Sequence, residues 1–242
     1  SVIIEEGFEV EQLQRIVASM KKELEVNDAI VVSGDTKEVP KGAVDKIFIN
    51  TTGIGEILYK GISSNNISEA DLILVNRDIG AHGATIFAAR EGMDMNSNLK
   101  SDCNSLYPQV KALIDSGIKI TALRDATRGG VSAVLNEWAK QSNICIEVDE
   151  EKIPLCDEVR GICEMLGFEA TNLANEGTFV LAIPKDDVVK AIEVLHGFPE
   201  ASNACIIGKV TQQYSQKVIL NSSGGTKRFL DTRTGELLPR IC

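Results

Sequence analysis

From Asp71 onward the chain alternates between short apolar runs and segments with helical spacing, and this alternation narrows the fold more than any other feature. The runs Leu72 to Val75, Ile118 to Leu123, Cys145 to Val148, Phe179 to Ile183 and Ala204 to Val210 read as strands between turn-forming residues. Helices are expected near Ala84 to Arg90 and Leu106 to Ile114, from Gly130 onward, and near Glu158 to Leu166 and Asp186 to Leu195. In the helix from Gly130, residues Val131, Val134, Leu135 and Trp138 share one face, as a helix with a buried stripe requires. Interleaved strands and helices bury their apolar faces as layers, so residues 63–224 are expected to form an α+β domain, a mixed sheet covered by helices.

The leading segment is smaller. Leu13, Ile16, Val17, Met20 and Leu24 recur at helical spacing and end at a turn-like Asn27-Asp28. Ala29 to Val32 and Lys46 to Asn50 read as strands, running into the turns Ser33-Gly34-Asp35-Thr36-Lys37 and Thr51-Thr52-Gly53-Ile54-Gly55. The polar loop Ser63-Ser64-Asn65-Asn66 sets the expected boundary. Residues 1–62 bury too little surface to make a comfortable domain, so part of it is expected to be missing or completed by a partner. Residues 225–242 are expected to be a polar, mobile tail.

The 242 residues, 43% of them hydrophobic, suffice for one large core or two smaller ones. A formal charge of −10 argues against general affinity for nucleic acid or an anionic membrane. No apolar stretch is long enough to span a bilayer and none resembles a signal peptide, so a cytoplasmic protein is expected. Ser1 at the first position points to processing or truncation. Six cysteines without a C-x-x-C pair, and two histidines, argue against structural zinc. Cys145, Cys163 and Cys205 have apolar neighbours and read as buried small hydrophobes, whereas Cys242 is the last residue of the sequence, with no chain beyond it to bury it.

Four turns can carry chemistry. Ser33 to Lys37 gathers a carboxylate, a hydroxyl and an ammonium that could hold a metal-bound phosphate, or it is an ordinary polar turn. Arg124-Asp125-Ala126-Thr127-Arg128-Gly129-Gly130 sits between a strand and a helix. Helix-start N–H groups there favour an anion, although Asp125 or Thr127 could equally be a simple helix cap. Asn175-Glu176-Gly177 places Glu176 at a sheet edge, as a general base or as a solvated turn carboxylate. Asp78-Ile79-Gly80-Ala81-His82-Gly83 is a glycine-rich turn with one His, a residue more often structural in such a place.

Taken in order, Gly-Asp-Thr-Lys, Asn-Thr-Thr-Gly-Ile-Gly, His-Gly-Ala-Thr, Arg-Asp-Ala-Thr-Arg-Gly-Gly, Asn-Glu-Gly and terminal Pro-Arg-Ile-Cys form a distinctive set. The chain resembles the HypE family of hydrogenase maturation factors along its whole length. The resemblance implies a two-domain aminoimidazole ribonucleotide synthetase-like fold, its first domain incomplete here because the N-terminal quarter is absent. Residues 1–62 would then be the second half of an ATP-binding, dimer-forming domain. It also implies that ATP, with Mg²⁺, dehydrates a carbamoylated C-terminal cysteine to a thiocyanate, the source of the cyanide ligand of [NiFe]-hydrogenase. Cys242 would carry the substrate, with Lys37 and Glu176 assisting deprotonation and stabilising the phosphorylated intermediate. Asp35 and Thr36, with Arg124, Asp125, Thr127 and Arg128, would face the nucleotide, Asp35 also toward the metal. Implied partners are the carbamoyltransferase HypF, the iron-carrying HypC–HypD complex and a second copy of the chain. Nucleotide affinity is expected to be weak without the missing glycine-rich loop. Two alternatives remain open at this point, a selenophosphate synthetase-like enzyme of the same superfamily and a non-catalytic scaffold that docks partners through its tail.

Overall fold

The computed structural model describes residues 1–93 and 99–231. The chain divides into two compact units, Ser1–Leu58 and a second that begins at Tyr59. The boundary precedes the expected residue 62, because the backbone N–H of Ile120 donates to the Tyr59 hydroxyl at 3.2 Å and Ile62 packs against the second unit's core.

In the first unit β1 (Val2–Glu5), α1 (Val10–Val26), β2 (Thr36–Val39) and β3 (Ile47–Ile49) follow in sequence. β1 is central, parallel to β2 and antiparallel to β3. A parallel neighbour requires a crossover connection rather than a hairpin, and α1 lies in that crossover. The helix half-buries Leu13, Ile16, Met20 and Leu24 at the expected spacing. The strand expected at Ala29 to Val32 does not form, and Ile30, Val31 and Val32 are strongly exposed. β-branched side chains make a strand only where a ladder and a covered face are on offer, and the described residues provide neither here. The expected turn Ser33 to Lys37 is also revised, since Thr36 and Lys37 belong to β2 and pair with Val2 and Ile3. No described residue of this unit is fully buried.

The second unit contains β4 (Leu72–Val75), α2 (Ala81–Arg90), α3 (Tyr107–Asp115), β5 (Ala122–Asp125), α4 (Gly130–Ser142), β6 (Cys145–Asp149), α5 (Asp157–Leu166), β7 (Phe179–Ile183), α6 (Val188–His196), β8 (Cys205–Thr211), β9 (Lys217–Asn221) and β10 (Lys227–Phe229). Seven of its strands form one sheet in the order β10-β9-β6-β8-β4-β7-β5, antiparallel throughout except for β6 and β9. Period-two alternation splits the strands between two cores. Ile73 and Val75 of β4 and Val180 and Ala182 of β7 join Val134, Leu135 and Trp138 of α4. Leu74, Phe179, Leu181 and Ile183 point the other way, onto Leu113 of α3 and Ala191 and Leu195 of α6. A third cluster joins Ala84 of α2 to Val159 and Ile162 of α5.

Two strand readings shift. Ile118 and Ile120 are buried but precede β5, which starts at Ala122, so their burial comes from packing rather than from the ladder. The tail expected from residue 225 instead opens with β10, paired antiparallel to β9 across the Ser222–Thr226 turn, and Leu230 beyond it is buried. The side chains of β10 are polar enough to read as a tail, yet its backbone has a free strand edge to occupy and Phe229 stacks edge-on against Tyr214. Among the described residues no helix is long and apolar enough to cross a membrane.

Trp138 fills the core beneath α4 and is 3% exposed. Trp138→Ala should lower the unfolding free energy by about 3–5 kcal/mol in denaturant titration. A loss below about 1 kcal/mol would show that α4 does not anchor this face.

Candidate active site

Strand pairing brings three loops to one end of the large sheet. Val75 at the end of β4 lies opposite Val180 of β7, and Asp125 at the end of β5 lies opposite Phe179 at the start of β7. The loop after β4 (Asn76 to Gly80), the loop after β5 (Ala126 to Gly129) and the loop before β7 (Asn175 to Thr178) therefore converge. Backbone bonds stitch two of them directly. Asn175 N–H donates to Ala126 O at 3.1 Å, and Ala126 N–H donates to Thr178 O at 2.9 Å.

Buried polar side chains fix this junction. Asp102 is 2% exposed, and its carboxylate accepts from Glu176 N–H at 3.1 Å, Gly177 N–H at 2.9 Å and the Thr178 hydroxyl at 2.9 Å. A buried carboxylate is tolerated when its lone pairs are met by donors in this way. The fit is close, because a Cβ on Gly177 would stand 1.8 Å from Asp102 O, so residue 177 has to be glycine. Asn175 accepts from Gly80 N–H at 2.6 Å and donates to Ala126 O and Leu173 O. Asn76 accepts from Phe179 N–H at 2.8 Å and donates to Gln109 and to Gly177 O. Thus Asn175 ties the Glu176 loop to the other two, while Asp102 and Asn76 hold it from either side. Glu176 itself is half-buried.

The loop after β5 leads into α4 through Gly129, whose φ is +76°, and no side chain caps the helix. Neither Asp125 nor Thr127 acts as the cap, although the glycines do permit close packing. Gly130 presses on the segment before it in space, for a Cβ there would meet Thr171 O and Leu173 O at 2.5 Å. Asp125 and Arg128 are exposed and Thr127 is half-buried. The Arg124 guanidinium pairs with Glu137 of α4.

In the first unit Asp35 is exposed and its carboxylate accepts from Thr36 N–H at 2.9 Å. Thr36 and Lys37 alternate along β2, so their side chains leave opposite faces rather than converging as a turn would have made them. Among the described residues no group of three or more His, Cys, Asp or Glu side chains could hold a metal ion. One exposed carboxylate at Asp35 does not by itself make a Mg²⁺ site.

Cys242 lies outside the described residues. Burial pushes the Cys163 thiol up to about 11 and raises Cys156 and Cys205 as well, so these three stay protonated at neutral pH and are poor nucleophiles. Cys205 is only half-buried, less enclosed than expected, whereas Cys145 and Cys163 are buried. His82 is partnered through Nδ1 with the Ser101 hydroxyl at 2.8 Å. The residues not anticipated are Asp102, Asn76, Gln109 and Thr178. They carry no motif, and their importance follows from contacts between residues far apart in sequence.

The family model for AIR synthase related protein, C-terminal domain, matches residues 69–221. Carbamoyl dehydratase HypE of Escherichia coli is 42% identical over 244 residues, an alignment covering 99% of this chain and 71% of that protein. The chain belongs to the HypE family. A solved structure of hydrogenase maturation protein HypE in complex with ATP matches with a TM-score of 0.94 at 39% identity, over 100% of this chain and 73% of that one. A chain in a solved HypE–HypF complex matches with a TM-score of 0.91 at 40% identity, over 96% and 76%. The AIR synthase-related fold expected from the motif order is thus the one observed, and the HypE relationship separates the chain from the selenophosphate synthetase-like alternative.

Replacing the Asp102 carboxylate by an amide sets an N–H₂ group against at least one of the donors it now accepts. Asp102→Asn should destabilise the fold by about 1–3 kcal/mol by thermal or chemical unfolding. It should also loosen the Glu176 loop, seen as faster amide hydrogen exchange at Glu176 and Gly177. Unchanged exchange there would mean that Asp102 does not hold the loop.

Proposed function

We propose that this chain performs the dehydration step that prepares the cyanide ligand for [NiFe]-hydrogenase. The observation that carries the reading is the 42% identity, along 99% of the chain, to a carbamoyl dehydratase. A carbamoyltransferase of the HypF type places a carbamoyl group on the Cys242 thiol, a partnership supported by the HypE–HypF complex of a relative. ATP, bound by another relative, then activates the amide.

An amide oxygen leaves poorly. Transfer of the γ-phosphoryl group of ATP to that oxygen releases ADP, and the nitrogen gives up one proton as the C=N bond forms. The C–O bond then breaks, phosphate departs with the electron pair, and loss of the second N–H proton leaves S–C≡N on Cys242. Two proton acceptors and a cluster of positive charge are needed. Glu176 is proposed as one base, its place at the rim set by the Asp102, Asn76 and Asn175 network. Lys37 is proposed to assist deprotonation and to neutralise the phosphorylated intermediate. Arg128 and the uncapped N-terminus of α4 offer donors to an anion, with Asp125 and Thr127 on the same loop. Asp35 and Thr36 are assigned to the nucleotide side, Asp35 as a single carboxylate toward nucleotide-borne Mg²⁺, and no step is routed through the metal. The cyano group is then passed to an iron-carrying HypC–HypD complex. The protein is proposed to act in the cytoplasm as a homodimer.

Two variants test the assignment, both made in the full-length protein. Cys242→Ala should abolish carbamoylation by the carbamoyltransferase while leaving the thermal midpoint unchanged, and carbamoyl label on Cys103 or Cys156 in that variant would place the chemistry elsewhere. Glu176→Gln retains shape but removes the basic oxygen, so Cys242 should still be carbamoylated while thiocyanate forms about 10²-fold more slowly. Thiocyanate at the normal rate would remove Glu176 from the mechanism. A non-catalytic scaffold would form none in the unaltered protein or in Glu176→Gln.

A further inference from the structure

A cavity of about 410 Å³ opens in the second unit, and none of its described lining residues belongs to the loops that converge beside Glu176. It lies among α5, the short helix Ala170–Asn172, the segment that follows β6 and the β9–β10 hairpin. Leu155, Phe168, Ala170 and Leu220 supply apolar lining. The charged lining is Glu150, Glu151, Glu164 and Glu169 against Arg160 and Arg228. Arg228 pairs with Glu169 at 3.1 Å, which sets the other three carboxylates against Arg160. One of them, Glu150, is held at the β9–β10 turn by Ser223 N–H, which donates to its Oε2 at 3.3 Å. Deeper in, Thr171 lines the cavity at 6% exposure, and among the described residues its hydroxyl has no hydrogen-bond partner. The Thr171 carbonyl lies against α4, since a Cβ on Gly130 would stand 2.5 Å from it. A buried hydroxyl without a partner costs stability, and a polar atom on an occupant of the cavity removes that cost.

We propose that this cavity binds a small organic cation, an apolar body with an ammonium or guanidinium group at one end and a hydrogen-bonding atom at the other. Apolar walls, a few polar groups and this volume are the ordinary form of a small-molecule site. The excess of carboxylates selects a positive charge and disfavours an anion. Glu151 and Glu164 are exposed, so the cationic end lies at the mouth, where Glu150 adds to the same field. Leu155, Phe168 and Leu220 cover the body, and the Thr171 hydroxyl meets the inner polar atom. Cys163 also lines the cavity, but its thiol stays protonated and adds no charge.

Three probes with one aromatic body test this in the full-length protein by calorimetry. Tyramine carries both ends, 2-phenylethylamine lacks the phenol hydroxyl, and tyrosol has a neutral hydroxyl in place of the ammonium. Tyramine should bind most tightly. Glu151→Gln and Glu164→Gln should each weaken both amines by about 2- to 5-fold, the scale of an exposed ion pair, and leave tyrosol unchanged. Thr171→Val keeps the shape and removes the hydroxyl, so it should weaken tyramine by about 2- to 10-fold and leave 2-phenylethylamine unchanged. Without a probe, its thermal midpoint should be no lower than that of the unaltered protein. A lower midpoint would show that the fold already uses the hydroxyl and would overturn the proposal. So would equal affinity for tyrosol and tyramine, tyramine binding that none of the three substitutions changes, or no saturable binding of tyramine. The glutamate variants alter exposed side chains, so this arm does not depend on how Thr171→Val folds. No ATP or carbamoyl group enters the measurement, which keeps its outcome separate from the dehydratase reading.

Discussion

The arrangement at the candidate-site end of the sheet depends on one buried carboxylate. Asp102 accepts from two consecutive backbone N–H groups and a hydroxyl on the Glu176-Gly177-Thr178 stretch, well inside hydrogen-bond range. Left unpaired, that charge would be costly to bury, and the donors, without it, would be orphaned at the mouth of the sheet. The pairing therefore works in both directions. Glycine at 177 is the price of this close approach. The result is that the backbone at half-buried Glu176 and at Gly177 is held by hydrogen bonds to one carboxylate.

Around that point the sheet supplies geometry rather than chemistry. Antiparallel pairing of β4 with β7 and of β7 with β5 puts the loop after β4, the loop after β5 and the loop before β7 at the same end. Asn175 and Asn76 then convert proximity into fixed register, each using both its acceptor and its donors. The two cores above and below the sheet hold α4 on one face and α3 and α6 on the other. α4 starts from the loop after β5 at this end of the sheet with no side-chain cap, and its Asn136 side chain donates to Leu230 O.

Much of the second unit is legible in the sequence because its strands are short apolar runs and its helices show clear periodicity. Leu72–Val75 and Phe179–Ile183 lie where the pattern puts them. Legibility fails where burial is not the organising force. Ala29 to Val32 has strand composition but no strand partner among the described residues, and β10 has a partner but a tail's composition. β1 has four residues, all of them partly buried, so it shows no alternation to read. At the site, the motif residues Glu176, Asp125, Thr127 and Arg128 stand out as turn chemistry beside glycines. Asp102 and Asn76 do not, because a carboxylate held by residues more than seventy positions away in sequence leaves no local pattern. Arg124 illustrates the converse, a motif cation whose charge is already engaged by Glu137.

The central claim is that ATP activates the carbamoyl oxygen carried on Cys242, and the fate of that oxygen tests it most directly. Cys242 would be carbamoylated with an isotope-labelled carbamoyl oxygen, ATP added, and both the C-terminal peptide and the released phosphate examined by mass spectrometry. The account predicts that the peptide loses the elements of water as the label appears in inorganic phosphate. Thiocyanate formation with the label released into water, or labelled carbamoyl-Cys242 persisting while ATP is consumed, would contradict it.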